Sequence, residues 1–480
     1  MEIREIPTAG FIAPDAGRTV ERESHRELTS LTWFAIAAVT AGVALLAQIG
    51  ADARWLAALG NHITAAWTIP NGLPYAAAPS AGWENAPVLG ELIFHGLYAA
   101  FSDRGLVLAQ VAAVVAAFVF LGRDMRTAGT GDGARSLVLI ATALAIAPAL
   151  LVVRAQLFSL ALFPLLVMLL RSETRRPSRR IWLLVPLVAF WSNLHGAVLV
   201  GVAVSAAYLL LHRVRQQPAV ALGVLVALVP ALLATPALLG TAAYYRGVLT
   251  SEVAVRGSGL WAPLSLHAPF DVMFLIVAIP LCVAVLRVRP VGWELAVLVG
   301  LAAMAVHANR NTVWFALFVA VPAAKAMGVA SSRERSRHFE YVILLFTCVL
   351  GTAAITATAR EPIQTAAGSE LIRHTTVAAG NEPVLADPIN GEQLALAGQR
   401  IWIGNPLDAF SSRAQRTYLD WLDGRAQGDI LLTGQSCAIL VTVEGAPQRR
   451  LARSPAFREL DRDAKAVLYR RKACVAPAGA

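Results

Sequence analysis

The chain has 480 residues, 57% of them hydrophobic and 15% charged, against about 45–50% and about 25% in soluble globular domains. The charge is uneven: 28 of the 122 residues after position 358 are charged, or 23%, against 12% before it. Those proportions exclude a cytosolic enzyme, a disordered chain and a disulfide-stapled miniprotein, and predict a polytopic helical membrane region followed by one small soluble domain.

A polar tail covers 1–29, with no cleaved signal peptide expected. A spanning helix needs about 20 mainly apolar residues. Eleven runs qualify, near 30–50, 105–121, 136–153, 157–170, 181–194, 197–212, 219–240, 270–286, 291–308, 312–329 and 340–358. This sets a membrane region at 30–358 and an α/β domain at 359–480. Arg and Lys assign the sides. The tail and alternate loops carry 20 of them, and the opposite set carries 6 (Arg54, Arg104, Arg154, Arg246, Arg256 and Arg310). The expected topology is a cytoplasmic N-terminus in a plasma-membrane protein, with the 51–104 loop and the C-terminal domain outside. The basic run Arg171–Arg180 is read as a topology signal. The net charge of +10 then needs no nucleic-acid partner.

Three outer helix ends carry polar residues set singly in apolar sequence. They are Arg154 with Gln156, Asn193 with His195, and His307-Ala-Asn309-Arg310-Asn311. Taken singly, such an Arg snorkels to headgroups, and Asn193 or His195 caps a helix. Three clusters at one depth favour a shared polar cavity. The planar guanidinium pairs well with phosphate, so this cavity suits a lipid-linked phosphate headgroup. The 51–104 loop is rich in Trp, Pro and Gly, and is expected to be ordered on the membrane surface. Asp52 stands where the first helix leaves the bilayer. It either pairs with Arg54 or serves the cavity as a base toward an acceptor hydroxyl.

After Pro383 strand-like and helix-like segments alternate: 384–386, 391–397, 400–403, 413–422, one strand within 429–443, and two short strands ending at Arg471. This predicts a small α/β layer. No phosphate-binding Gly-rich loop, metal-ligand spacing or nucleophile elbow is present. Cys282 and Cys348 fall in apolar spans and are expected to pack. Cys437 and Cys474 fall in the outer domain, where a disulfide could persist, and sequence leaves their pairing open.

These residues resemble bacterial multi-span glycosyltransferases of the GT-C superfamily, in particular a broad group within it. The matching elements are Asp52, Trp55 and Gly60; Trp83 and Asn85 leading to Glu91; Arg154-x-Gln156; Asn193-Leu-His195-Gly196; and a late outer Arg310. Glu392 after a strand-following Gly, Tyr418 on a helix, the strand 438–443 and the closing strand 466–471 extend the likeness over about 30–472. Leu56 stands where the group often has His, and Ala86-Pro87 where it often has His-Glu, with Glu84 nearby as a substitute.

The resemblance implies hexosyl or pentosyl transfer from a polyprenyl-phosphate sugar to a cell-envelope acceptor, among membrane lipids. Asp52 is then the base. Arg154, Gln156, Asn193, His195 and Arg310 hold the donor, and Glu84 and Glu91 support them. Inversion is expected, no cofactor is predicted, and a divalent metal stays open. A transporter or lipid flippase, and a catalytically silent GT-C-like subunit, are the alternatives.

Overall fold

A computed structural model describes residues 30–329, 366–434 and 436–474 of the protein. Helix α1 (Ser30–Leu46) runs into a two-residue strand, β1 (Gln48–Ile49), and then, past Asp52, into α2 (Ala53–Ala66). Helix α3 (Val88–Thr127) is broken at Ser102, whose φ of 52° and ψ of −144° are not helical. The 51–104 loop is therefore a helix, a Pro- and Gly-punctuated turn and the first arm of α3, and the kink marks where it ends.

The expected span at 136–153 is divided. Helix α4 (Asp132–Ala145) stops at Ile146, α5 (Ala147–Leu151) follows, and β2 (Val152–Val153) completes the run. Pro148 explains the break, because its ring and missing N–H suit a helix's first turn rather than its interior. Helices α6 (Leu157–Arg175), α7 (Leu184–Ser192), α8 (Val198–Leu211) and α9 (Pro218–Leu232) follow, then α10 (Thr241–Leu249) and α11 (Glu252–Arg256). Helices α12 (Pro269–Arg287), α13 (Gly292–His307) and α14 (Thr312–Val329) come next.

Among the described residues five helical segments are long and apolar enough to cross a membrane: Val88–Thr127, Leu157–Arg175, Val198–Arg215, Pro269–Arg287 and Asn309–Gly328. Three more apolar helices are shorter, and the expected run at 340–358 lies outside the described residues. The chain is a polytopic helical membrane protein. The expected 181–194 span is a 3₁₀ turn, Arg179–Leu183, leading into the nine-residue α7.

Buried ion pairs tie the helices together. Arg171 of the basic run bonds Glu294 at 2.8 Å, Asp124 at 3.1 Å and the Phe318 carbonyl at 2.9 Å. Its guanidinium also lies 4.7 Å from the Phe318 ring centroid. Arg213 and Glu173, both fully enclosed, pair at 3.4 Å. Removing one partner of such a pair leaves an uncompensated buried charge. These two arginines are therefore structural as well as part of the charge bias.

The C-terminal region opens with α15 (Ser369–Ala379), then β3 (Leu385–Ala386), α16 (Pro388–Leu396), α17 (Ser412–Leu422), β4 (Ala438–Thr442), α18 (Ala446–Arg453), β5 (Phe457–Arg462) and β6 (Ala466–Arg471). Its sheet order is β3-β4-β6-β5, with β3 and β4 parallel and the others antiparallel. Strands β4 and β6 are buried residue after residue along nearly their whole length, as strands covered on both faces are. Cys437 and Cys474 form a disulfide, Cα to Cα 5.9 Å. The first loop docks on this region through main-chain bonds: Ala77 and Ala78 donate to the carbonyls of Ile401 and Trp402, and Ile401 donates to that of Tyr75.

Candidate active site

Two turns make the floor of the site. Strands β1 and β2 pair in parallel, Gln48 opposite Val152 and Ile49 opposite Val153. The chain leaving β1 presents Asp52, and the chain leaving β2 presents Arg154. This short ladder brings residues a hundred positions apart to one depth. Gly50 allows this close approach, since a Cβ there would lie 2.3 Å from Val152 Cγ1 and force that side chain to move.

Asp52 and Arg154 face a cavity of about 440 Å³, lined also by Gln156, His195, Trp261 and Arg310. The Arg154 guanidinium is 3.8 Å from Asp52 Oδ2. Asp52 holds a left-handed conformation, φ 93° and ψ −28°, which costs a non-glycine residue about 1–2 kcal/mol. Arg54 takes no part in this. It is buried and pairs with Asp103 at 2.9 Å, so the Asp52–Arg54 pairing weighed from sequence does not form.

His195 occupies the turn between α7 and α8. Trp191 Nε1 donates to Ser159 Oγ at 2.7 Å, and Ser159 Oγ lies 2.9 Å from His195 Nδ1. The Ala197 amide also donates to Nδ1. Nδ1 is thus an acceptor, which leaves the proton on Nε2 and gives the cavity a neutral N–H donor. Desolvation in this enclosed turn pulls the imidazole down to about 3, with the Arg310 charge adding to it. Arg310 stands on a 3₁₀ turn, Asn309–Asn311, its guanidinium 4.3 Å from the Trp261 ring centroid. The Asn309 amide donates to the Ala262 carbonyl at 2.8 Å, and the Asn309 side chain bonds Asp271. Both contacts hold the turn that carries Arg310.

Three expected site residues lie off the cavity lining. Asn193 donates its side-chain amide to the carbonyls of Ala189 and Ala234, at 2.8 and 2.7 Å, and its own carbonyl accepts the Gly90 amide at 3.1 Å. It latches α7 to its neighbours. Glu91 is fully buried in the first turn of α3 and accepts from Asn85 Nδ2 at 2.8 Å. Glu84 is exposed and packs over Gly240, where a Cβ would lie 2.5 Å from its carboxyl carbon.

Other residues at the site were not singled out from sequence. Asp408 accepts the Trp83 indole N–H at 2.9 Å, and desolvation pushes its carboxyl up. Tyr244 and Asn405 also line the cavity. A partner 325 positions away leaves no local signal for Asp408, while Tyr244-Tyr245 beside Arg246 is a polar-aromatic interruption of the kind that marked the other clusters. Among the described residues no group of three or more His, Cys, Asp and Glu is placed to hold a metal ion.

No family model and no curated protein matches the sequence. Solved structures do match the fold. The arabinofuranosyltransferase AftD from Mycobacteria superposes with a TM-score of 0.54 at 15% identity, over 93% of this chain and 41% of that one. ArnT from Cupriavidus metallidurans superposes in its apo state with a TM-score of 0.55 at 11% identity, over 93% of this chain and 98% of that one. Bound to undecaprenyl phosphate, it superposes with a TM-score of 0.51 at 13% identity, over 95% and 98%. The chain has the GT-C fold. It spans about two fifths of the AftD chain and nearly all of ArnT.

Proposed function

We propose that the chain is a membrane glycosyltransferase that moves a sugar from a polyprenyl-phosphate donor to an acceptor hydroxyl outside the cytoplasm. The observation that carries this reading is the gathering of Asp52, Arg154, His195 and Arg310 around one cavity. A side cavity of about 110 Å³ shares Arg154, Gln156 and Arg310 and continues between Ile146, Val152, Phe270 and Phe274. An isoprenoid chain suits that apolar wall, with its phosphate at the arginines. The ArnT structure with undecaprenyl phosphate bound supports the same class of donor.

In this reading the acceptor oxygen attacks the sugar carbon as its proton passes to Asp52. The bond from that carbon to the phosphate oxygen breaks, and its electron pair leaves on polyprenyl phosphate. Arg154, Arg310 and the His195 N–H stabilise that growing charge with donors already in place. One in-line displacement inverts the sugar carbon. The N-terminus is then cytoplasmic, and the site and the C-terminal region face outward.

The test is release of labelled sugar from a panel of polyprenyl-phosphate sugars by purified protein in nanodiscs, with candidate acceptors present. Asp52→Asn should lose at least about 100-fold in turnover, the lower end of a general base's contribution, and still bind donor. Absence of turnover with every donor, or an Asp52→Asn variant as fast as the parent, would overturn the reading.

A further inference from the structure

The C-terminal region reaches Asp52 through two side chains, Glu392 and Asn405. Glu392, on α16, is 2% exposed. Both of its oxygens accept the Asp52 backbone N–H, at 2.8 and 2.9 Å. Asn405 Nδ2 donates to Glu392 Oε1 at 2.7 Å and lies 3.4 Å from Asp52 Oδ1, so it bridges the two carboxyl groups. Glu392 itself is not part of the cavity lining. A left-handed non-glycine residue persists only where its surroundings over-determine it. Here the surroundings are a strand pair on one side and this buried carboxyl on the other.

We propose that Glu392 is a positioning residue: acting on the Asp52 amide, with Asn405 as bridge, it keeps the Asp52 carboxylate turned into the cavity. The proposal rests on the transferase reading above. It makes the C-terminal region part of the catalytic machinery rather than an appended recognition module. Excising or undocking that region removes the clamp from a residue 340 positions away.

Burial, with the Asp52 charge second, pushes the Glu392 carboxyl up to about 8. The titratable groups facing it are Asp52, Arg54, Tyr75 and Tyr418, and burial pushes both tyrosines well upward. Ionised Glu392 accepts the amide at both oxygens and binds it more strongly than the neutral acid. The hold on Asp52 therefore tightens as pH rises through about 8.

The experiment measures kcat and donor KM against pH for the full-length protein, Glu392→Gln and Glu392→Ala, with thermal unfolding alongside. Wild-type kcat should rise across about pH 8. Glu392→Gln should lose that limb, and Glu392→Ala should lose about 100-fold in kcat with KM changed less than about threefold, the signature of a misplaced catalytic group rather than lost binding. If Glu392→Ala does not fold, the near-isosteric Gln variant decides through its pH profile. A Gln variant with wild-type kcat and an unchanged limb overturns the proposal, as does a loss confined to KM. An active wild type with indifferent Glu392 variants overturns this proposal alone, whereas a wild type without turnover overturns the transferase reading with it.

Discussion

Gly60 offers a quantitative test of how the site is held. It lies in α2, eight residues past Asp52, against the first arm of α3. A Cβ there would meet the Glu91 carbonyl oxygen at 2.3 Å, its carbon at 2.8 Å and His95 Cβ at 2.7 Å. The obstacle is mostly backbone, so it cannot be relieved by a rotamer change. Ordinary contact begins near 3.4 Å, so α2 and α3 must part by about 1 Å to admit one methyl group. Overpacking of this kind costs about 1–3 kcal/mol. Because α2 begins at Asp52 and α3 carries Glu91, the same movement displaces the carboxylate, and a 1 Å error at a reacting group costs about 100-fold in rate. Gly96, on the same arm of α3, is the control, with nothing within 4 Å of its added Cβ. There Ala should stabilise by about 0.5–1 kcal/mol through backbone entropy. The assay is apparent melting temperature in detergent together with donor turnover. Gly60→Ala should fall in both, and Gly96→Ala should rise slightly in the first and hold the second. A Gly60→Ala protein that melts and turns over like the parent refutes the close α2–α3 approach and the argument built on it.

The Cys437–Cys474 bridge closes a separation of 37 residues, for which loop-closure entropy gives about 3–4 kcal/mol. Reductant should lower the melting of the C-terminal region by a corresponding amount, while Cys474→Ser starts low and ignores reductant; equal responses of the two proteins would contradict the bridge. In the proposed transferase reading, His195→Ala should weaken polyprenyl-phosphate binding roughly tenfold or more, the scale of one hydrogen bond to a charged group, and Gln, which keeps an N–H, should recover part of it. Because His195 is held near 3, any step that titration calorimetry finds in that affinity near pH 6–7, where a phosphate monoester loses its second proton (pKa about 6), should persist unchanged in His195→Ala. Such a step, lost in His195→Ala, would show the imidazole to be the titrating group and refute the neutral donor.

Much of the site was legible because its residues break an apolar pattern. Arg154, His195 and Arg310 are costly at helix ends facing lipid, so their presence announced a cavity, and all three line it. Asn193 gave the same signal, but its amide is spent on Ala189 and Ala234. A lone polar residue in apolar sequence reports a need for partners and does not say whether they are ligand or backbone. Arg171 is a parallel case. Its charge contributed to the topology count, and its burial among Asp124, Glu294 and Phe318 was invisible in a run that reads as solvated.

Sequence by itself determined the apolar helices, the placing of polar groups at their ends, and the alternation of strands and helices after 383, because each is a local property of composition and period. Helix breaks at Pro148 and Ser102 divided or kinked the expected runs, and five of the described helical segments are long and apolar enough to cross a membrane. Only the tertiary structure decided which polar groups meet. The β1–β2 pairing joins Asp52 to Arg154, Asp408 reaches Trp83, and Glu392 takes the Asp52 amide. These contacts span 100 to 340 positions. Such contacts leave no periodicity behind them, since what holds them is the folding of distant segments against one another.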